Sequence, residues 1–333
     1  MTRPTKRILL FACLLVTFCL SLPTNCPAPL IWRKGEGWSY EREGITNANN
    51  PKDQLELGKQ LQQKKQYGNA LAAYRRLIRR WPTSFAAQDA RMGSAECLTA
   101  LAYYYKSFKE YQQLIEKNPN SPYFDTALHR QFEIGNLFLG GEKVKVMGLR
   151  LFSGLDKAVE VYEQVVKNGP FSSVGPEAQF RVGLVYEKQK DYLSAVHAYE
   201  KFLERYPNSP LAEEAQFETG WAYSREAKRA EYDQDMANKA VAAFTDFLVR
   251  YPSGRMASRA EELRTSLKQE QSQGLFRIGQ FYEKRKNLKA ALIYYNAVIE
   301  QNPRSEWANR AQQKVTTLTP RLAAMTATTT VTP

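Results

Sequence analysis

The sequence has 333 residues, 43% hydrophobic, 24% charged and 12% aromatic, with 47 Lys and Arg against 34 Asp and Glu and a formal charge of +13. That much apolar material excludes a disordered chain, and only four cysteines in this length exclude a disulfide-stapled mini-domain. Length alone suggests about two globular domains, a prior that does not hold for repeat arrays, which grow by stacking without a central core.

Residues 1–26 read as an export signal. Arg3, Lys6 and Arg7 precede an apolar run from Ile8 to Leu22, and Pro23, Pro27 and Pro29 follow it. The run is shorter than the roughly 20 residues of a membrane-spanning helix, which favours a signal over an uncleaved anchor. Removing it lowers the charge of +13 by three and leaves a basic chain. Cys26 and Cys19 are the candidate lipidation sites, although Cys19 follows bulky Phe18 and Cys26 follows Pro23-Thr24-Asn25; Cys13 follows Ala12 but stands early in the apolar run. Cleavage near Cys26 leaves Cys97 as the one certain thiol, read as a buried structural residue. Residues 27–50 form an aromatic-rich N-terminal linker with Ile31, Trp32, Trp38 and Tyr40; a cap on the first repeat and a docking surface are both open readings.

Residues 51–319 repeat. Gly58, Gly183 and Gly279 are each followed twelve residues later by Ala70, Ala195 and Ala291, sixteen later by Tyr74, Tyr199 and Tyr295, and twenty-four later by Pro82, Pro207 and Pro303. A fourth unit reads Ala95, Ser107, Tyr111 and Pro119. Two more carry insertions, running from Gly135 to Ala158, Tyr162 and Pro170 and from Gly220 to Ala240, Phe244 and Pro252. Apolar residues within each unit recur at three- and four-residue steps, the signature of amphipathic helices. A glycine inside a helix costs about 1 kcal/mol relative to alanine, so its recurrence marks a close approach of a neighbouring helix. Proline then stops the second helix, and the Ser or Asn that follows is able to cap the next one.

This Gly, Ala, Tyr/Phe, Pro pattern resembles the tetratricopeptide repeat. The fold expected is all-α, a tetratricopeptide-repeat superhelix of about six helical hairpins plus a capping helix over Glu306–Thr317. A coiled coil, the other architecture considered, would carry an unbroken heptad pattern without recurrent proline. The insertions should lengthen helices or their connecting loops, and residues 320–333, rich in Thr, Ala and Pro, should form a disordered tail.

The second half carries a narrower resemblance. Gly220-Trp221-Ala222-Tyr223, Tyr232-Asp233-Gln234-Asp235, Ala242-Ala243-Phe244-Thr245-Asp246-Phe247-Leu248, Tyr251-Pro252, Ala260-Glu261-Glu262-Leu263 and Gln280-Phe281-Tyr282 follow in an order similar to the outer-membrane assembly lipoprotein family BamD. The likeness covers about residues 176–318. It implies a scaffold at the periplasmic face of the outer membrane, anchored through a lipidated Cys, that serves β-barrel assembly with an outer-membrane β-barrel assembly protein and precursor polypeptides as partners.

No catalytic or cofactor motif stands out. His129 and His197 lie far apart on separate repeats, no Cys pair has metal spacing, and no phosphate loop or nucleophile elbow occurs. No enzyme activity, cofactor or metal is expected. Phe132, Phe180, Phe217 and Phe276 each stand three residues before a repeat glycine; they line a partner-binding groove with Trp221, or they pack one helix on the next. Lys188, Arg225 and Lys284 would edge such a groove with positive charge and suit a peptide with apolar side chains and a carboxylate end. Acids and bases interleave along the helices, which argues against nucleic acid as partner. A periplasmic repeat protein that coordinates cell-envelope synthesis or cell division is the alternative function.

Overall fold

The computed structural model describes residues 30–33, 37–40, 48–146, 149–229 and 234–329. The expected signal segment 1–26, with Cys19 and Cys26, lies outside them. The described residues hold thirteen helices and two short β-ladders, and the chain divides into two units, Met1–Ser121 and Pro122–Pro333.

In the first unit, β1 (Leu30–Arg33) and β2 (Gly37–Tyr40) pair antiparallel with Trp32 opposite Trp38, so the expected linker contains a β-hairpin. Four helices follow: α1 (Pro51–Gln63), α2 (Tyr67–Arg80), α3 (Phe85–Ala100) and α4 (Tyr104–Lys117). Asn50 caps α1 by accepting the Asp53 N–H, and Pro51 sits at the first helical position, where it sacrifices no hydrogen bond. The core gathers Ala70, Tyr74, Leu77, Ala90 and Cys97.

The second unit contains α5 (Phe124–Leu139), α6 (Leu155–Asn168), α7 (Gly175–Gln189), α8 (Tyr192–Arg205), α9 (Ala212–Arg229), α10 (Gln234–Arg250), α11 (Ala257–Lys284), α12 (Leu288–Gln301) and α13 (Glu306–Thr329). Taken in sequence, α1 to α12 make six helical hairpins and α13 is the capping helix. The third-repeat insertion is a second β-hairpin, β3 (Val144–Val146) and β4 (Leu149–Phe152), between α5 and α6. The fifth-repeat insertion lengthens α9 and α10 to 18 and 17 residues.

One contact explains the repeat pattern. In five hairpins the glycine of the first helix lies under the aromatic ring of the second. A Cβ at Gly135 would sit 2.6 Å from Tyr162 Cε1, one at Gly279 2.7 Å from Tyr295 Cε1 and one at Gly220 2.9 Å from Phe244 Cε1; Gly58 and Gly183 are pressed by Tyr74 and Tyr199 in the same way. The recurring alanines Ala70, Ala158, Ala195, Ala240 and Ala291 are fully buried. Four ring hydroxyls then donate back across the hairpin: Tyr74 to Gln62 Oε1 at 2.7 Å, Tyr162 to Asn136 Oδ1 at 2.6 Å, Tyr199 to Glu187 Oε1 at 2.7 Å and Tyr295 to Glu283 Oε2 at 2.7 Å. The fifth hairpin has Phe244 for the tyrosine and Ser224 four residues after its glycine, where Gln62, Glu187 and Glu283 stand in theirs, and the Ser224 hydroxyl turns to the Trp221 carbonyl instead. Tight connections within four hairpins place Lys65, Ala102, Lys190 and Lys286, seven residues after the glycine position, in the left-handed region.

The C-terminus corrects the expectation of a tail from residue 320. The α13 helix runs to Thr329 with Pro320 inside it. Ala311, Val315, Leu318 and Leu322 recur at four-, three- and four-residue steps and cover the core of Phe276, Ala291, Tyr295 and Val298. Burial of this stripe carries the helix past the proline.

Candidate partner-binding face

The four phenylalanines that the sequence offered as groove lining are core residues. Phe132, Phe180, Phe217 and Phe276 are 8%, 4%, 6% and 5% exposed. Each packs on the repeat aromatic of its own hairpin, with ring centroids 5.7 Å apart for Phe132 and Tyr162, 5.4 Å for Phe180 and Tyr199, 5.6 Å for Phe217 and Phe244 and 5.2 Å for Phe276 and Tyr295. The three-residue step to the glycine puts each Phe on the face of the first helix that meets the second, so the ring completes the hairpin instead of facing a ligand.

The remaining groove residues separate. Trp221 is half-buried, and the exposed Arg225 guanidinium lies 5.7 Å from both the Trp221 and Tyr192 ring centroids, bridging α9 to the start of α8 by cation–π contact. Lys188 donates from Nζ to the Leu139 carbonyl at 2.7 Å and ties α7 to the end of α5. Lys284 is exposed at the end of α11. The structure therefore joins Trp221 and Arg225 on one stripe of α9 and leaves Lys188 and Lys284 on other helices.

That stripe also carries acids that composition alone did not single out. Glu214 and Glu218 precede Trp221 by about two and one helical turns. Burial, then the neighbouring Glu187 and Glu214, push the Glu218 carboxyl up from 4.5 to about 8. Burial also raises Glu187, against the Tyr199 hydrogen bond that lowers it. The equivalent Glu283 behaves in the opposite way. Although burial raises it, hydrogen bonds from Tyr295 and Lys314 and the charges of Lys314 and Arg321 on α13 hold it below the usual range. One repeat position thus has two electrostatic characters, set by the helix packed against it. The α9 stripe carries an indole with a cation at one end and carboxyls at the other.

The histidines and thiol have ordinary surroundings. His129 Nε2 lies 2.8 Å from Ser173 Oγ at an exposed site, and His197 is on the surface near Glu200. Burial, then Glu96, push the Cys97 thiol up to about 12, so it stays protonated and unreactive. Among the described residues no group of three or more His, Cys, Asp or Glu is placed to hold a metal, and no helix is long and apolar enough to cross a membrane.

Residues 54–84 match a family model described as a tetratricopeptide repeat, in agreement with the glycine-to-tyrosine hairpins. The chain has the tetratricopeptide-repeat fold. Residues 153–313 of this repeat protein match a second family model, YfiO, described as an outer membrane lipoprotein; the match contains α6 to α12 and the start of α13. It begins well before residue 176, where the resemblance read from the sequence starts. Solved structures similar to the repeat protein include YrrB, a tetratricopeptide protein with an unusual peptide-binding site (13% identity, 64% of this chain and 92% of that one, TM-score 0.34). Others are a tetratricopeptide repeat protein from Parabacteroides merdae (12%, 81% and 98%, TM-score 0.32) and the C-terminal part of one from Cytophaga hutchinsonii (13%, 80% and 88%, TM-score 0.35). The comparison with curated proteins gave no match.

Proposed function

We propose that this chain is a non-catalytic, BamD-like scaffold at the periplasmic face of the outer membrane. It takes part in β-barrel assembly by holding a β-barrel assembly protein and presenting precursor segments to it. The observation that carries this reading is the match of residues 153–313 to an outer-membrane lipoprotein family. Stacked hairpins with a half-buried indole and Arg225 on α9 support a role in binding polypeptides. Under this reading the export segment is cleaved and Cys26 or Cys19 carries the lipid; neither cofactor nor nucleic acid is required.

The test is purification of the tagged chain from its own membranes in mild detergent, with identification of the co-purifying proteins. A β-barrel with periplasmic domains is the expected companion, together with outer-membrane fractionation and globomycin-sensitive processing. Recovery as a soluble periplasmic protein among cell-wall synthesis or division proteins would overturn the assembly role.

A further inference from the structure

Three consecutive helices of the second unit enclose a cleft that lies outside the α9 stripe. Helices α6 and α8 both pack on α7 and leave between them a cavity of about 680 Å³ with α7 as its floor. Each helix contributes a single face. Along α8, Ser194, His197, Lys201 and Arg205 follow at three- and four-residue steps and form one wall. Lys167 stands on the opposite wall, and Val166, Val182 and Ala198 make an apolar lining between them.

In sequence, Lys201 and Arg205 each follow a glutamate, Glu200 and Glu204, which makes the surface look evenly mixed. On the helix, successive residues are about 100° apart, so the lysine and arginine turn into the cleft while the glutamates stand outside its lining. Among the described residues Lys167, Lys201 and Arg205 have no carboxylate within ion-pair distance, whereas Arg181, Lys157, Arg264 and Lys314 are all paired. Glu163 lies one turn before Lys167 on the same wall, so the charge is graded along the cleft, acidic at the Glu163 end and basic at the Pro170 end. Phe171, 88% exposed, follows Pro170 at that basic end.

We infer that this cleft is a docking site for an acidic segment of a partner polypeptide. Lys201 and Arg205, one helical turn apart, match carboxylates spaced by one turn on a helical ligand. Lys167 closes on the segment from the facing wall, and an apolar side chain of the ligand rests on Val166, Val182 and Ala198. The charge gradient fixes the direction, with the acidic end of the ligand at Pro170 and Phe171. The site is independent of the outer-membrane reading and is distinct from the α9 face.

The full chain is titrated against a fluorescein-labelled helical peptide of Leu and Glu, with Glu at four-residue spacing, and against its Gln-for-Glu counterpart, followed by fluorescence anisotropy. The Glu peptide should bind, and the Gln peptide should bind at least about tenfold more weakly. The triple variant Lys167→Glu, Lys201→Glu, Arg205→Glu should lose at least about tenfold in affinity with unchanged helical circular dichroism, because all three side chains are exposed. A variant of equal charge change at exposed residues outside both faces, Lys59→Glu, Lys289→Glu, Arg304→Glu, should bind as the parent does. Failure of the Glu peptide to bind, equal binding of the two peptides, or equal loss in the two triple variants would overturn the proposal. So would a cleft variant that loses binding to phosphatidylglycerol vesicles but keeps the peptide, a result that would assign the cations to a lipid surface.

Discussion

The glycine at the centre of each repeat is a steric requirement of its aromatic partner. Gly183→Ala gains up to about 1 kcal/mol of helix propensity, but the new methyl falls inside the buried Tyr199 ring. Overpacking of this kind costs about 1–3 kcal/mol and wins, so the variant should melt earlier in urea. The tyrosine hydroxyl makes a second, separable contribution. Tyr199→Phe leaves Glu187 without its donor and should cost about 1–2 kcal/mol. The penalty should shrink in a Glu187→Ala background, since the fifth hairpin lives without both groups; a double-mutant cycle measures the coupling. Glu218 adds a pH dependence. Its folded value of about 8 lies above its ordinary 4.5, so across that window the folded state binds a proton the unfolded chain lacks. Stability falls as pH rises through the window and levels off above it. Glu218→Gln, neutral throughout, should therefore melt alongside the parent near about pH 4 and above it near about pH 9, as thermal denaturation will show.

Whole elements were legible where spacing alone decides them. The offsets from Gly58, Gly183 and Gly279 locate three helical hairpins outright and, with a substitution or an insertion allowed, the other three, because a close contact between two helices fixes both the small residue and the ring. The same offsets were silent on which face of a first helix meets its partner, and Phe180 and Phe217, equally consistent with groove or core, turned out to complete the core. The basic cleft was hidden for a related reason: Glu200-Lys201 and Glu204-Arg205 look neutral in line and separate only when wound into α8. At the C-terminus, composition outweighed periodicity. Thr, Ala and Pro suggested a tail, yet Leu318 and Leu322 continue the stripe of Ala311 and Val315. A proline within a helix costs about 3 kcal/mol by clash and a lost hydrogen bond. Pro320→Ala should therefore raise the helical signal and slow amide exchange around residues 316–324, with the largest effect in the last turns.

For the molecule as a whole, stability is the sum of hairpins and the surfaces between them. The first unit has a buried cluster around Tyr74, and within the second unit the clusters around Tyr199, Phe244 and Tyr295 follow one another along the chain. The last of these is closed by α13, with Ala311 and Leu318 almost wholly buried on it. A chain ending after Ser305 would expose that apolar end, and it should elute from a sizing column as a larger, concentration-dependent species while the parent does not. The placement of β3 and β4 has a practical corollary. Helices α5 and α6 already meet as an ordinary hairpin, and the ladder begins at Val144 and ends at Phe152, directly opposite one another. Entry and exit are therefore adjacent, and the stretch between Gly141 and Gly154 is a natural socket into which a fluorescent reporter or an affinity handle can be plugged without parting the helices on either side.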